Sequence, residues 1–150
     1  MNRRGFTFIE MLIVMIVMGI LASIAVLKYM DLRNHAVAAG IARDVETVRL
    51  GAYSHWADHD NFPAEAQSGM VPAAMVTYLP HGFSFTRPQY SYDWDNFGEG
   101  GGGGYQVGFT IAVDDPRLQT LVMRSFEGRY PFFRNGDAIT YIIVGPDGKM

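Results

Sequence analysis

The sequence predicts an α+β fold, with one long N-terminal helix laid against a small antiparallel sheet. Three observations point to it. Phe6 to Leu27 (FTFIEMLIVMIVMGILASIAVL) is an apolar run of membrane length. No proline interrupts the chain before Pro63, and apolar residues recur at helical spacing up to that point. Beyond residue 88, two segments alternate with period two, as half-buried strands do.

Composition narrows the function classes. The 150 residues suffice for one domain and an anchor. A net charge of −3 gives no basic surface, so no nucleic-acid partner is implied. The absence of cysteine excludes disulfides, thiolate metal sites and cysteine catalysis. An aromatic share of 13% fits a packed core and not a disordered chain.

The apolar run is too long and too continuous for a secretory signal peptide, although Ala22-Ser23-Ile24-Ala25 offers small residues. Being apolar on all faces, it does not read as the core helix of a soluble domain. It reads as a membrane span over 6–27. Arg3 and Arg4 precede it, which places the N-terminus in the cytoplasm and the remainder outside. One carboxylate, Glu10, lies inside it, and a charge at a helix centre costs roughly 3 kcal/mol on insertion scales, so it needs a partner.

Residues 28–60 continue the helix. Val37, Ile41, Val45, Val48, Ala52 and Trp56 line one face, with Arg33, Arg43, Asp44, Glu46 and Arg49 on the other. A helix from Phe6 to about Asp58 is roughly 80 Å long, of which about 30 Å crosses hydrocarbon. The second half therefore packs on the domain that follows. Asp60-Asn61-Phe62-Pro63 ends the helix, with Asn61 suited to the residue just past its last turn.

Residues 61–150 supply the globular part. Residues 64–71 read as a loop. Pro72 to Leu79 reads as a short helix with Pro72 at its first position, or as a strand. Gln89 to Asp95 alternates Tyr90, Tyr92 and Trp94 against polar residues, and Tyr105 to Val113 alternates likewise. Gly100 to Gly104 between them is a low-complexity loop. Asp114 or Asp115 caps a helix that has Pro116 at its first position, Leu118, Leu121, Val122 and Phe126 on its inner face, and Gly128 at its end. Ala138 to Val144, apolar on both faces, reads as a covered central strand. Asn135-Gly136-Asp137 and Pro146-Asp147-Gly148 read as turns.

A basic leader (MNRRG), then Phe6 opening an apolar run with Glu10 at its fifth position, resembles the N-terminal signal of type IV pilins and type II secretion pseudopilins. The segment GFTFIEMLIVMIVMGILASIA carries the resemblance. Leader charge, Gly, aromatic and Glu must fall in fixed order, which makes the pattern highly specific. The resemblance implies a type IV pilin-like fold and a structural, non-enzymatic subunit. It implies cleavage between Gly5 and Phe6 by a prepilin peptidase, with N-methylation of Phe6. It also implies polymerisation through the apolar helix. Partners would be further copies of the chain, related minor pilins or pseudopilins, the peptidase and methyltransferase, the inner-membrane assembly platform and the lipid bilayer. Glu10 would pair with the terminal amine of an adjacent subunit, so an isolated subunit is expected to leave it without its partner. Residues 1–5 would be the removed leader, and losing Arg3 and Arg4 from 12 basic residues leaves 10 against 15 acidic, a net charge of −5. The chain would reside in the inner membrane, its C-terminal domain periplasmic, and then enter a periplasmic or extracellular filament. Many family members carry Pro where Leu27 stands here, whereas Gly19 is retained. Both a pilus subunit and a secretion pseudopilin fit. A non-polymerising, membrane-anchored periplasmic binding protein is the alternative, with Tyr90, Tyr92 and Trp94 as a ligand platform.

No catalytic constellation emerges, and the glycine run lacks the Lys-Ser/Thr of a phosphate loop. His55 and His59 have the spacing of a Zn or Cu pair, but Trp56 occupies the position of the zincin glutamate, and a solvated helix end fits them better. Asp93, Asp95, Asn96 and Glu99 gather oxygen ligands of the kind calcium takes. A polar turn joining two strands is the simpler reading, since Phe97 breaks the EF-hand order. No cofactor other than calcium is suggested.

Overall fold

The computed structural model describes residues 6–98 and 106–145. Residues 1–5, expected as a leader, the candidate ligand Glu99, the run Gly100–Gly104, Tyr105 and Pro146-Asp147-Gly148, expected as a turn, lie outside the described residues.

Helix α1 spans Phe8–His59, 52 residues without a break at Gly19 or Leu27. Thr7 caps its start: the Thr7 side chain accepts from the Glu10 N–H while the Glu10 carboxylate accepts from the Thr7 N–H. The helix therefore begins two residues after Phe6. At the other end Asp60, not Asn61, adopts the left-handed conformation (φ 57°, ψ 24°) and donates its N–H to Trp56 O. A short polar side chain tolerates that conformation, and Asn61 is committed elsewhere, its carbonyl facing His55 Nδ1 at 2.9 Å.

A 3-10 helix at Ala73–Tyr78 follows, which settles helix against strand for this segment. Pro72 precedes it as the cap and does not occupy its first turn. Strand β1 (Tyr90–Asn96) and strand β2 (Val107–Val113) pair antiparallel, Tyr92 opposite Ile111 and Trp94 opposite Phe109. Helix α2 (Pro116–Phe126) starts at Asp115, whose side chain accepts from Arg117 N–H at 2.8 Å, with Pro116 in the first turn. It buries Gln119 beside Leu118, Val122 and Phe126, because Gln119 Nε2 reaches Gly136 O at 3.0 Å. Strand β3 (Phe132–Asn135) turns through Gly136 (φ 62°) into strand β4 (Ala138–Val144). The sheet order is β1-β2-β4-β3, antiparallel throughout, and β4 is the covered inner strand its composition implies. Strand β3 is absent from the sequence expectation. At four residues, two of them polar and exposed, it carries too little alternation to read.

The core lies between the second half of α1, helix α2 and one sheet face. Ala38, Ile41, Val45, Val48, Ala52 and His55 are buried along α1, while Val37 and Trp56 are only half-buried. Opposite them Tyr92, Trp94, Phe109, Ile111, Phe85 and Phe126 are fully enclosed. Polar contacts tie β1 to α1 and to the segment that follows it. Tyr92 donates its hydroxyl to Asp44 Oδ2 at 2.8 Å, and Trp94 Nε1 donates to Pro63 O at 2.9 Å. The outcome is a long helix packed on a four-stranded antiparallel sheet, the α+β arrangement expected of a pilin-like chain.

Candidate functional site

The chain divides into a finished domain and an unfinished helix. Every residue from Phe6 to Arg33 is exposed, among them Ile9, Ile13, Ile16, Ile20 and Ile24. The most apolar stretch of α1 has a mean hydropathy of 2.6 with none of it buried, long and apolar enough to cross a membrane. A soluble monomer does not tolerate a contiguous apolar surface of that extent in water. This surface requires lipid, a second protein surface, or both.

Glu10 stands near the start of this surface. One oxygen, Oε2, accepts from both Thr7 N–H and Thr7 Oγ1, each at 2.7 Å, and Thr7 Oγ1 accepts from Glu10 N–H at 3.3 Å. Within the chain Thr7 holds the carboxylate, and the terminal amine that the resemblance implies as its partner is not among these contacts. A Thr three residues before a Glu at a helix start closes a capping box whatever else the Glu does. Phe6 is 81% exposed immediately ahead of the box. A Cβ added at Gly19 would meet no heavy atom within 4 Å, so its small size is not needed within the isolated chain.

The remaining sequence candidates separate in space. Of the two histidines, His59 is exposed at the helix end as expected, whereas His55 is buried. His55 is 6% exposed, stacks on His59 (centroids 4.4 Å, planes 15° apart) and meets the edge of Tyr78 at 5.6 Å. Carbonyls only accept, so His55 Nδ1 donates to Asn61 O and His59 Nδ1 donates to His55 O at 3.2 Å. Lone pairs on the remaining nitrogens lie in near-parallel planes and do not converge on one ion at the roughly 2 Å a metal needs. The pair closes the end of α1 with Tyr78, whose hydroxyl donates to Asp58 Oδ2 at 2.8 Å. That bond, ahead of desolvation and the Asp58 charge, raises the Tyr78 phenol above its ordinary pKa.

Of the calcium candidates, Asp93 and Asp95 share the outer face of β1. Burial first, and the Asp95 charge second, push the Asp93 carboxyl above its usual range. Asp95 accepts from Thr110 Oγ1 at 2.6 Å. Asn96 points to the other face, where its amide donates to Pro63 O and its oxygen accepts from Gly98 N–H. Asp93 and Asp95 supply two carboxylates toward the six to eight oxygens calcium takes, and Glu99 lies outside the described residues. Among the described residues no group of three or more His, Asp or Glu side chains is placed to hold a metal. The aromatic platform is core: Tyr92 and Trp94 are fully buried, and Tyr90 is half-buried against Tyr92.

Sequence reasoning missed a network where the flank of α1 meets Tyr130 and β4. Arg49 and Glu46 form a two-pronged ion pair (2.6 and 3.1 Å), and Tyr130 donates to the same carboxylate at 3.2 Å. Arg49 holds Glu46 below the usual carboxylate range. Burial pushes the neighbouring Tyr141 phenol up to about 12. The i, i+3 spacing of Glu46 and Arg49 was legible; its tyrosine neighbours, more than 80 residues away, were not.

Comparison with known families bears on the exposed helix. Residues 1–26 match the family model described as the prokaryotic N-terminal methylation motif. The chain opens with a prepilin-type motif. The match covers Gly5, Phe6, Glu10 and most of the exposed run, and it supports recognition as a type IV pilin or pseudopilin precursor. No curated protein and no solved structure matches the chain. The prepilin-type motif and the unburied apolar helix agree on membrane anchoring.

Proposed function

We propose that this chain is a structural subunit of a type IV pilus-like filament. It enters the inner membrane as a prepilin, with its N-terminus cytoplasmic and residues 61–150 on the periplasmic side. A prepilin peptidase cleaves between Gly5 and Phe6, and Phe6 is N-methylated. The mature chain polymerises through residues 6–27, with itself and with related minor subunits at an inner-membrane assembly platform. Glu10 aligns each incoming subunit by pairing with the terminal amine of another. A carboxylate in hydrocarbon is tolerated when an ammonium and hydrogen bonds compensate it.

The observation that carries the reading is the contrast within α1: Ala38 to His55 is docked on a complete core, whereas Phe6 to Arg33 is left exposed throughout, under a methylation motif. The experiment is Glu10→Ala in the native host. The membrane-held subunit is expected to remain abundant and processed while its incorporation into sheared surface filaments falls about tenfold or more, since a buried pair broken on one side costs roughly 3–5 kcal/mol. Wild-type filament yield from that variant would refute the role of Glu10. A processed, methylated chain that never appears in any filament fraction would instead favour the anchored binding protein. The burial of Tyr92 and Trp94 speaks against that alternative, because it removes the proposed platform. The motif is common to pilus and secretion assemblies, and the second reading within the class is a type II secretion pseudopilin.

A further inference from the structure

A cavity of about 510 Å³ opens where α1 leaves the globular domain. Helix α1 contributes Leu27, Met30, Asp31 and Asn34, and helix α2 contributes Arg117, Leu121 and Arg124. Both sets follow helical spacing, so two faces converge on one trough. Its depth follows from the membrane reading, on which this inference rests. The apolar run Phe6–Leu27 is about 33 Å long at 1.5 Å per residue and matches a hydrocarbon core of about 30 Å. Asp31 and Asn34 then lie roughly 6 and 10 Å beyond its edge, in and just past the headgroup layer. Leu27 and Met30, both more than half exposed, face the boundary with the acyl chains.

The charges in the trough are mixed. Arg117 and Arg124 are exposed, and among the described residues neither guanidinium is paired with a carboxylate. Asp115 is occupied, accepting from Arg117 N–H and from Asn34 Nδ2 at 3.4 Å. Asp31 has a side chain 66% exposed, and its one ion-pair neighbour among the described residues is His35 Nε2 at 3.9 Å. Two guanidiniums suit a phosphate, which arginine binds with a directional fork. Asp31 opposes a purely anionic headgroup and suits a cation that can donate hydrogen bonds. A quaternary ammonium has no N–H to give.

We propose that this trough binds the headgroup of a zwitterionic phospholipid bearing a primary ammonium, phosphatidylethanolamine in chemical class. Arg117 and Arg124 take the phosphate, Asp31 takes the ammonium, and Leu27, Met30 and Leu121 lie along the glycerol and upper acyl chain. The lipid would hold the α1–α2 corner of the membrane-resident subunit at a fixed depth.

The test is native mass spectrometry of the full chain released from detergent with an equimolar mixture of phosphatidylethanolamine, phosphatidylglycerol and phosphatidylcholine. The wild type is expected to retain phosphatidylethanolamine about fivefold over either competitor, the upper range for one exposed charge pair. Arg117→Ala combined with Arg124→Ala is expected to lower retention of all three lipids roughly tenfold. Asp31→Asn is expected to abolish the preference over phosphatidylcholine while leaving phosphatidylcholine retention unchanged. All three side chains are exposed, so the near-ultraviolet circular dichroism of the variants is expected to match wild type. Equal retention of the three lipids, a preference for phosphatidylglycerol, or unaltered binding by the double variant would overturn the proposal. Lipid-free dimers that lipid does not displace would overturn it in favour of a second copy as occupant. Carbonate extraction runs alongside: a wild-type chain released from membranes would overturn the membrane reading as well, whereas a retained chain indifferent to lipid would overturn this proposal alone.

Discussion

Tyr92→Phe tests how the two halves of the molecule are held together. The ring is fully buried, in contact with Phe109 (centroids 4.9 Å) and Phe85 (5.9 Å), and the variant keeps that packing. Only the hydroxyl is lost, and with it the 2.8 Å bond from β1 to Asp44 on α1. Hydrogen bonds to charged groups contribute about 1.5–3 kcal/mol. Asp44 is half-buried, so water partly replaces the lost donor, and the lower end of that range applies, about 1.5 kcal/mol. For a domain of this size that is a fall in Tm of roughly 6–10 °C. Burial first, and the Asp44 charge second, hold the Tyr92 phenol far above its ordinary pKa of 10.0. The folded chain therefore keeps a proton that the unfolded chain gives up above pH 10. That stability is complete below pH 10 and declines as pH rises beyond it, by up to about 1.4 kcal/mol per pH unit. The variant lacks this contribution, so its stability is expected to fall less steeply above pH 10 than the wild type's. Thermal and urea unfolding of the full chain in detergent, between pH 7 and 11, measure both effects. A double-mutant cycle with Asp44→Ala is expected to give a coupling of about 1 kcal/mol. A Tm within 1 °C of wild type, or additivity within about 0.3 kcal/mol, would refute the docking role of this bond.

Two glycines of α1 are expected to respond in opposite directions. An added Cβ at Gly51 meets Leu79 Cδ2 at 3.1 Å and the Tyr78 carbonyl at 3.3 Å, so Gly51→Ala is expected to destabilise by about 1 kcal/mol despite its helix propensity. Gly40 has nothing within 4 Å, so Gly40→Ala is expected to stabilise by up to about 1 kcal/mol in the same melts; a loss there would contradict the open space. Asp93→Asn is expected to raise Tm by about 2 °C at pH 7, since the raised carboxyl penalises its own ionisation in the folded state. That penalty is absent below the unfolded carboxylate pKa and complete above the folded one, so the advantage should vanish as pH falls below about 4. An advantage that persists at pH 3 would point to a cause other than charge.

Most of the architecture was readable because it rests on local signals. The long helix declared itself through a continuous apolar run followed by a 3.6-residue pattern, β1 and β2 through alternation with period two, β4 through a run of apolar residues, and α2 through Asp115 and Pro116 at its start. What escaped depended on contacts distant in sequence. Strand β3 exists because Phe132 to Asn135 pairs with β4, and its own residues do not alternate. The buried face of α1 is the expected one from Ile41 to Ala52 and departs from it only at the ends: Ala38 is buried in place of Val37, and His55 is drawn inward by Asn61 O and Tyr78 while Trp56 is left half-exposed. At the candidate site, the order of Gly5, Phe6 and Glu10 was legible as a motif. The trough beside Leu27 was not, because it forms only when α2 folds back onto α1.

The capping box changes what the assembly carboxylate must do. Both Thr7 donors fall on Oε2 of Glu10, which leaves Oε1 for a donor from outside the chain. Under the proposed function an incoming ammonium then has no internal bond to break. It meets a carboxylate already held in one orientation, and the side-chain entropy of fixing Glu10 has been spent in the subunit. Thr7→Ala removes two of the three cap contacts, those through Oγ1, at a cost of about 1 kcal/mol, and releases the carboxylate to other rotamers. Membrane insertion and cleavage are expected to be unaffected. Filament yield is expected to fall about threefold to fivefold, well short of the loss from Glu10→Ala, and Thr7→Ser is expected to restore it. Quantitative immunoblotting of sheared filaments against the membrane pool measures all three. Wild-type yield from Thr7→Ala would show that the cap stabilises only the helix start. A loss equal to that of Glu10→Ala, unrescued by serine, would show that residue 7 acts on assembly by some route other than this hydroxyl.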